Sequence, residues 1–143
     1  MNKNTLTEAL IASRDNDIET WIHNFLRSGD NPNIALSEGL KKEKRYYEGP
    51  IKVSLDRFER VCGPEKSMLY QVDETYFNNR VKKMMDAIND GWDMPPLMIE
   101  IRDNGFYMND GNHRYEALMR LGIKTYYVIF WSSSQQIIKA TIS

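Results

Sequence analysis

A chain of 143 residues with 41% hydrophobic content has the size and composition of one compact domain with an ordinary core. Its formal net charge of −1 gives no global pull toward nucleic acid, and the lone Cys62 excludes an internal disulfide and a cysteine-based zinc site. No apolar run approaches the roughly 20 residues of a spanning helix, and the polar start Met1-Asn2-Lys3-Asn4 is no signal peptide, so a reducing cytoplasm without a membrane partner is the expected setting.

The N-terminal third reads as helical. Leu6, Ala9 and Leu10 fit a short amphipathic segment, and Ile18, Trp21, Ile22, Phe25 and Leu26 follow the spacing of a second, with Asp17 as its expected N-cap. Ser28-Gly29-Asp30-Asn31-Pro32 stops that helix, because glycine suits the left-handed end and proline cannot continue the ladder. A third helix is expected from near Asn33 to Arg45, its Lys41-Lys42-Glu43-Lys44-Arg45 run forming a solvated face. Ile51 to Leu55 then reads as a strand, and Gly63-Pro64 marks the following stretch as a loop.

From Asp73, Phe77, Val81, Met84, Met85 and Ile88 return at helical spacing until Gly91, with the methionines as core filler. Leu97 to Ile101 and Phe106 to Met108 read as strands joined by Asn104-Gly105, a dipeptide suited to a tight hairpin. Thr125 to Trp131 is a further strand, rich in β-branched and aromatic residues. Gln135 to Ser143 is expected to pack back as a short helix or strand.

The most informative stretch is Asp110-Gly111-Asn112-His113-Arg114-Tyr115-Glu116-Ala117-Leu118. It places a glycine turn and phosphate-compatible side chains between a strand and a helix that ends at Gly122. First-turn amides of a helix lack internal acceptors and carry the positive end of its dipole, so an anion binds there without elaborate machinery. Arg114 offers planar donors for phosphate, and His113 can donate to an oxygen or move a proton near neutral pH. The plainer alternative has Arg114 paired with a carboxylate such as Glu116 and His113 as a satisfied structural residue. Asp110 and Asn112 are both good N-caps, and Asp110 can equally hold a magnesium ion carried by a nucleotide's phosphates.

At Gly111-Asn112-His113-Arg114-Tyr115-Glu116-Ala117 the chain resembles the ParB/sulfiredoxin superfamily. The stretch is similar to the Gly-Cys-His-Arg-Tyr element of sulfiredoxins and to the Asp-Gly-His-His-Arg element of the ParB-like free serine kinases. It is more loosely similar to the Gly-Glu-Arg-Arg box of ParB partition proteins. Ile51-Lys52-Val53-Ser54-Leu55 resembles the family's opening strand, Phe77 to Ile88 the helix that follows, and Pro95-Pro96-Leu97-Met98-Ile99 its "PP-hydrophobic-V" strand. The resemblance spans roughly residues 50 to 131 and divides the chain into an N-terminal helical extension, 1–49, and a ParB/sulfiredoxin-like domain, 50–143. It implies an α+β fold, a small mixed β-sheet packed with helices.

The resemblance also implies a nucleotide held through its phosphates at Gly111, Asn112, His113 and Arg114. Arg80 and Lys83 resemble nucleotide-facing positions of sulfiredoxins. Glu65 occupies a place like that of the kinases' glutamate base, with Lys66 and Arg60 facing the γ-phosphate and His113 as a second catalytic group. The implied cofactor is a nucleoside triphosphate, ATP or CTP, with Mg2+, and the phosphate acceptor is a small molecule or a protein. Sulfinic acid reduction is not expected, because Asn112 stands where sulfiredoxins carry their cysteine and Cys62 lies in another loop. Centromere binding is not expected either, since the few residues after Trp131 leave no room for a helix-turn-helix. The leading expectation is therefore a nucleotide-binding phosphotransferase or nucleotidase. A DNA-interacting, nuclease-labelled module ranks below it, and a non-catalytic adaptor using the N-terminal helices ranks third.

Overall fold

The computed structural model describes residues 4–29, 32–102 and 105–142. Three helices come first, α1 (Leu6–Arg14), α2 (Ile18–Leu26) and α3 (Ile34–Leu40). They are followed by β1 (Tyr46–Ser54), two short strands β2 (Cys62–Gly63) and β3 (Tyr70–Gln71), and α4 (Glu74–Asn89). The hairpin strands β4 (Leu97–Arg102) and β5 (Gly105–Asp110) lead into α5 (Asn112–Arg120), β6 (Thr125–Ser132) and α6 (Gln135–Ile142). The main sheet has the order β1-β6-β4-β5. β6 runs parallel to β4 and antiparallel to β1, and β4 pairs antiparallel with β5, so the sheet is mixed and the fold is α+β as expected.

Alternation along the central strands sends successive side chains to opposite faces. Leu97, Ile99, Ile101, Val128 and Phe130 enter one core with Tyr115, Leu118 and Ile138. Met98, Ile129 and Trp131 enter the other with Ala9, Trp21, Ile22, Leu26 and Leu40 of the N-terminal helices. Both faces of β4 and β6 are thereby covered, which is why these strands are near-continuous apolar runs rather than polar-apolar alternations. Phe77 and Val81 of α4 pack on Ala117 of α5 in a third, smaller cluster.

Several boundaries differ from the sequence expectation, each for a local reason. α3 stops at Leu40 rather than running to Arg45, because Arg45 turns back and donates from Nε to Leu40 O and from Nη2 to Gly39 O, 3.3 and 2.9 Å away. Its Nη1 also reaches Ser133 Oγ. The chain is then free to enter β1 at Tyr46, and Tyr46 to Glu48 pair with Ser132 to Phe130 before a bulge shifts the register at Glu48/Ile51. Asp17 stands at the start of α2 but makes no side-chain capping bond, whereas Asn33 caps α3 by accepting from Leu36 N and Asp73 caps α4 by accepting from Tyr76 N. The loop after β1 contains β2, which pairs in parallel with β3, a contact too short to leave a periodic signal. The C-terminal segment is a helix. The expected turn at Asn104-Gly105 falls partly outside the described residues, with Gly105 opening β5. Among the described residues no helix is long and apolar enough to cross a membrane.

Candidate functional site

The turn between β5 and α5 is fixed from both sides. Gly111 occupies the N-cap position with φ 104°, a left-handed backbone that L side chains rarely adopt. A Cβ there would lie 2.7 Å from Leu97 Cδ2 and 3.1 Å from Arg114 Nη2, so glycine is needed for space as well as for dihedral angle. No side chain caps α5. Its first-turn amides are left to face whatever lies before the helix.

Arg114 lies inside the protein, 5% exposed. Its Nη1 donates to the carbonyls of Pro95 and Pro96, each at 2.8 Å, and its Nη2 donates to Asp110 Oδ2 at 2.6 Å. Phe25 covers the guanidinium at 5.3 Å. Burial pulls its pKa below the ordinary value and the Asp110 carboxylate opposes that. Arg114 therefore acts as a buried strut tying α5 to the start of β4, and its carboxylate partner is Asp110 rather than Glu116, which pairs with Arg60 and Arg120. Asp110 is committed in turn, since Oδ1 accepts from Asn33 Nδ2 at 3.3 Å. It is not the N-cap of α5 and has no free oxygen pair aimed at a metal. Among the described residues no group of three or more His, Cys, Asp or Glu side chains gathers in a metal-binding cluster.

Asn112 is also buried, and both the oxygen and the nitrogen of its amide are hydrogen-bonded. Oδ1 accepts from Val61 N at 2.9 Å and Cys62 N at 3.2 Å, while Nδ2 donates to Met108 O at 3.3 Å. It brackets the β2 loop to the β5–α5 turn instead of reaching for a ligand or capping α5. That bracket also brings Cys62, distant in sequence, beside the turn. Burial raises the Cys62 thiol above its ordinary range.

Two cavities flank the turn. One, of about 470 Å³, lies between α5, α4 and the α2–α3 connection and is lined by Arg80, His113, Gly111, Trp92, Phe25 and Asn33, among others. The second, of about 510 Å³, lies toward β5 and β3 and shares Asn33, Asp110, Gly111 and His113 with the first. Sequence reasoning missed the wall supplied by Phe25 and Asn33, since helical spacing accounts for Phe25 as core and nothing local brings residues 25–33 to residue 113.

Two groups at the first cavity are without partners. Arg80 Nε and His113 Nε2 are both buried and hydrogen-bond to nothing among the described residues. Arg80 lies over the Tyr76 ring at 5.7 Å, and no carboxylate pairs with it among the described residues. Burial, together with the Arg80, Arg114 and Arg60 cations, pushes the His113 imidazole down to about 4. His113 is thus neutral at pH 7, packed on Phe77 at 4.9 Å, in a cavity with excess positive charge.

The remaining predicted site residues lie elsewhere. Arg60 donates from Nη2 to Glu65 Oε2 at 2.6 Å and from Nε to Glu116 Oε1 at 3.0 Å. The Arg60 guanidinium holds the Glu65 carboxyl below its ordinary range, so Glu65 is a weak base in this arrangement. Lys66 and Lys83 are exposed, and neither lines the two cavities. The structure brings together Arg80, Gly111 and His113, with Asp110 and Arg114 behind them.

No protein-family model matches the chain, and no curated protein matches it either. A solved structure is similar to it. Sulfiredoxin from Arabidopsis thaliana matches with a TM-score of 0.45 and 22% identity, over 65% of this chain and 96% of that one.

The depressed pKa of His113 makes stability depend on pH in a stated direction. The folded value of about 4 lies below the ordinary 6.5, so the unfolded chain takes up the proton first as pH falls. The contribution is full above pH 6.5 and is lost as pH falls from there through about 4. Urea denaturation at several pH values across that window should show stability declining with acidity, and His113→Gln should flatten part of the decline. Identical slopes for both proteins would contradict the burial of a neutral imidazole here.

Proposed function

We propose that this chain binds a nucleotide, a nucleoside triphosphate such as ATP or CTP, through its phosphates at the N-terminus of α5. One observation carries the reading: Arg80 and His113 present buried nitrogens without partners beside an uncapped helix start, in a cavity of about 470 Å³. Buried polar groups are nearly always hydrogen-bonded, so a pair left open at a cavity calls for a complementary ligand. Such a ligand has to be anionic. The Arg80 charge is uncompensated, the helix dipole is positive at this end, and the volume lies within the range of small-molecule sites.

The roles within this reading differ from a simple row of phosphate-binding side chains. Gly111 lets the backbone approach, the first amides of α5 and Arg80 donate, and His113 meets a phosphate oxygen through Nε2. A phosphate there would draw the imidazole toward its protonated form, so binding should tighten as pH falls toward 6. Arg114 and Asn112 hold the turn in shape. Magnesium does not fit as a protein-held ion, because the Asp110 carboxylate is taken by Arg114 and Asn33. Phosphoryl transfer with Glu65 as base has less support, because Arg60 both occupies that carboxylate and lowers its basicity.

A thermal-shift screen against ATP, CTP and GTP, with and without magnesium, tests the proposal, because a ligand that binds only the native state raises its apparent stability. Arg80→Gln should then weaken the best ligand by roughly 10- to 100-fold, the usual loss for a charge-assisted hydrogen bond. It should leave the melting temperature of the free protein nearly unchanged. Unaltered affinity in calorimetry would remove Arg80 from the site, and no shift with any nucleotide would remove the reading.

A further inference from the structure

The second cavity does not end at β5. It continues into a third, of about 520 Å³, with which it shares Ala35, Leu36, Tyr70, Tyr107 and Asn109. The two form one elongated groove between α3 and the β3 segment, from His113 at one end to Arg45 and Arg102 at the other. Its floor is β5, joined toward the far end by Glu100 and Arg102 of β4 and Trp131 of β6, and β5 stands at the end of the strand order with no further strand on its outer side among the described residues. An edge strand presents a row of backbone donors and acceptors that pair with an added strand.

The rim is apolar where the floor is polar. Leu69 and Tyr70 are 62% and 57% exposed, the two highest values among the large hydrophobic side chains described, and both flank this groove. Tyr107 on β5 donates to Tyr70 Oη at 3.1 Å, which holds the β3 segment at a fixed distance from the edge. The far end is cationic. Lys42, Arg45 and Arg102 line it; Glu43 lies 3.4 Å from Arg45 and Glu100 lies 3.9 Å from Arg102, which leaves Lys42 as the cation without a paired carboxylate among the described residues.

We infer that this groove docks an extended, acidic polypeptide segment of a partner protein, added as a strand along the β5 edge. Apolar side chains of the segment rest on Leu69 and Tyr70, and its carboxylates meet Lys42 and Arg102. A single-stranded nucleic acid fits less well. The Arg45 guanidinium is committed to the Leu40 and Gly39 carbonyls, and Trp131 is 5% exposed, so Tyr70 is left as the one strongly exposed ring along the groove, too few for a row of stacked bases. A sugar-phosphate backbone also has no evenly spaced N–H donors for the carbonyls of a strand edge. The groove runs to Gly111 and His113, so a docked segment would meet the nucleotide's phosphates there. That last step rests on the nucleotide reading, whereas the docking does not.

A fluorescein-labelled, end-capped heptapeptide of alternating glutamate and valine, titrated without nucleotide, tests the docking. Binding is expected with hydrogen-exchange protection of β5 amides, and Leu69→Glu should weaken it by about tenfold or more through repulsion at the rim. Lys42→Glu combined with Arg102→Glu should reverse the preference, favouring a lysine-valine peptide of the same length. All these positions are exposed, so the variants should keep the wild-type melting temperature. The inference is overturned by no binding, by binding without β5 protection, by equal affinities across the variants, or by tighter binding of a 12-nucleotide oligothymidylate. Arg80→Gln should leave peptide affinity unchanged, so failure of the nucleotide site and failure of the groove are read separately.

Discussion

Arg114→Ala is expected to remove a large share of the protein's stability, and to do so before any question of ligand arises. The guanidinium is buried, makes three hydrogen bonds, and is the ion-pair partner of Asp110. Deleting it leaves a carboxylate without its counter-charge and two proline carbonyls without donors, and breaking a buried pair in this way typically costs about 3–5 kcal/mol. Against a total stability of about 5–15 kcal/mol for an ordinary domain, that is enough to unfold much of the population. Lysine should not restore it, because one ammonium cannot span Pro95, Pro96 and Asp110 as a planar fork does. Replacing both partners, Asp110→Asn with Arg114→Met, should recover part of the loss by removing the orphaned charge. Urea denaturation measures all three, and an Arg114→Ala protein within about 1 kcal/mol of wild type would show that the strut carries little. Loss of nucleotide binding in that variant would follow from unfolding alone, so Arg80 is the residue that tests the site.

The helices and the strands of the central sheet were legible because their apolar residues repeat with the period of the element. Phe77, Val81 and Ile88 mark one face of α4, and the run from Thr125 to Trp131 marks a strand buried on both sides. The turn at Gly111 was legible too, since glycine before a helical pattern has few other uses. The direction of the side chains on that turn was not. Whether Arg114 faces a cavity or the core depends on the Pro95 and Pro96 carbonyls and on Phe25, which are far away in sequence and leave no periodic trace. The same holds for Glu65, whose pairing with Arg60 requires the loop to fold back across the β2–β3 contact. Arg80 was named among the candidates on family likeness; its uncompensated charge appears only once its neighbours are placed.

Asn112 carries the other large expected effect, and it separates holding the turn from serving the ligand. Its amide accepts from two successive backbone N–H groups, Val61 and Cys62, and donates to the Met108 carbonyl, so a single side chain joins the β2 loop to the end of β5. Asn112→Ala leaves two donors and one acceptor with no partner in a site that is 8% exposed. At about 1–3 kcal/mol for each buried group left open, and with water repairing part of the damage, the net loss should be roughly 2–4 kcal/mol. Asn112→Asp keeps both accepted bonds but sets a carboxylate oxygen against Met108 O and buries a charge, so it should be destabilised as well, with its loss growing as pH rises and the carboxylate ionises. Asn112→Cys, the change that would place a thiol before His113, removes all three bonds and should resemble the alanine variant in stability rather than acquire sulfinic acid reduction. Hydrogen exchange at Val61 and Cys62 is the decisive readout. In the alanine and cysteine variants those two amides should exchange much faster while Val128 and Ile129 in the sheet stay protected, because the loop detaches locally before the core opens. Unchanged exchange at Val61 and Cys62 would mean that the β2–β3 pairing holds the loop without Asn112.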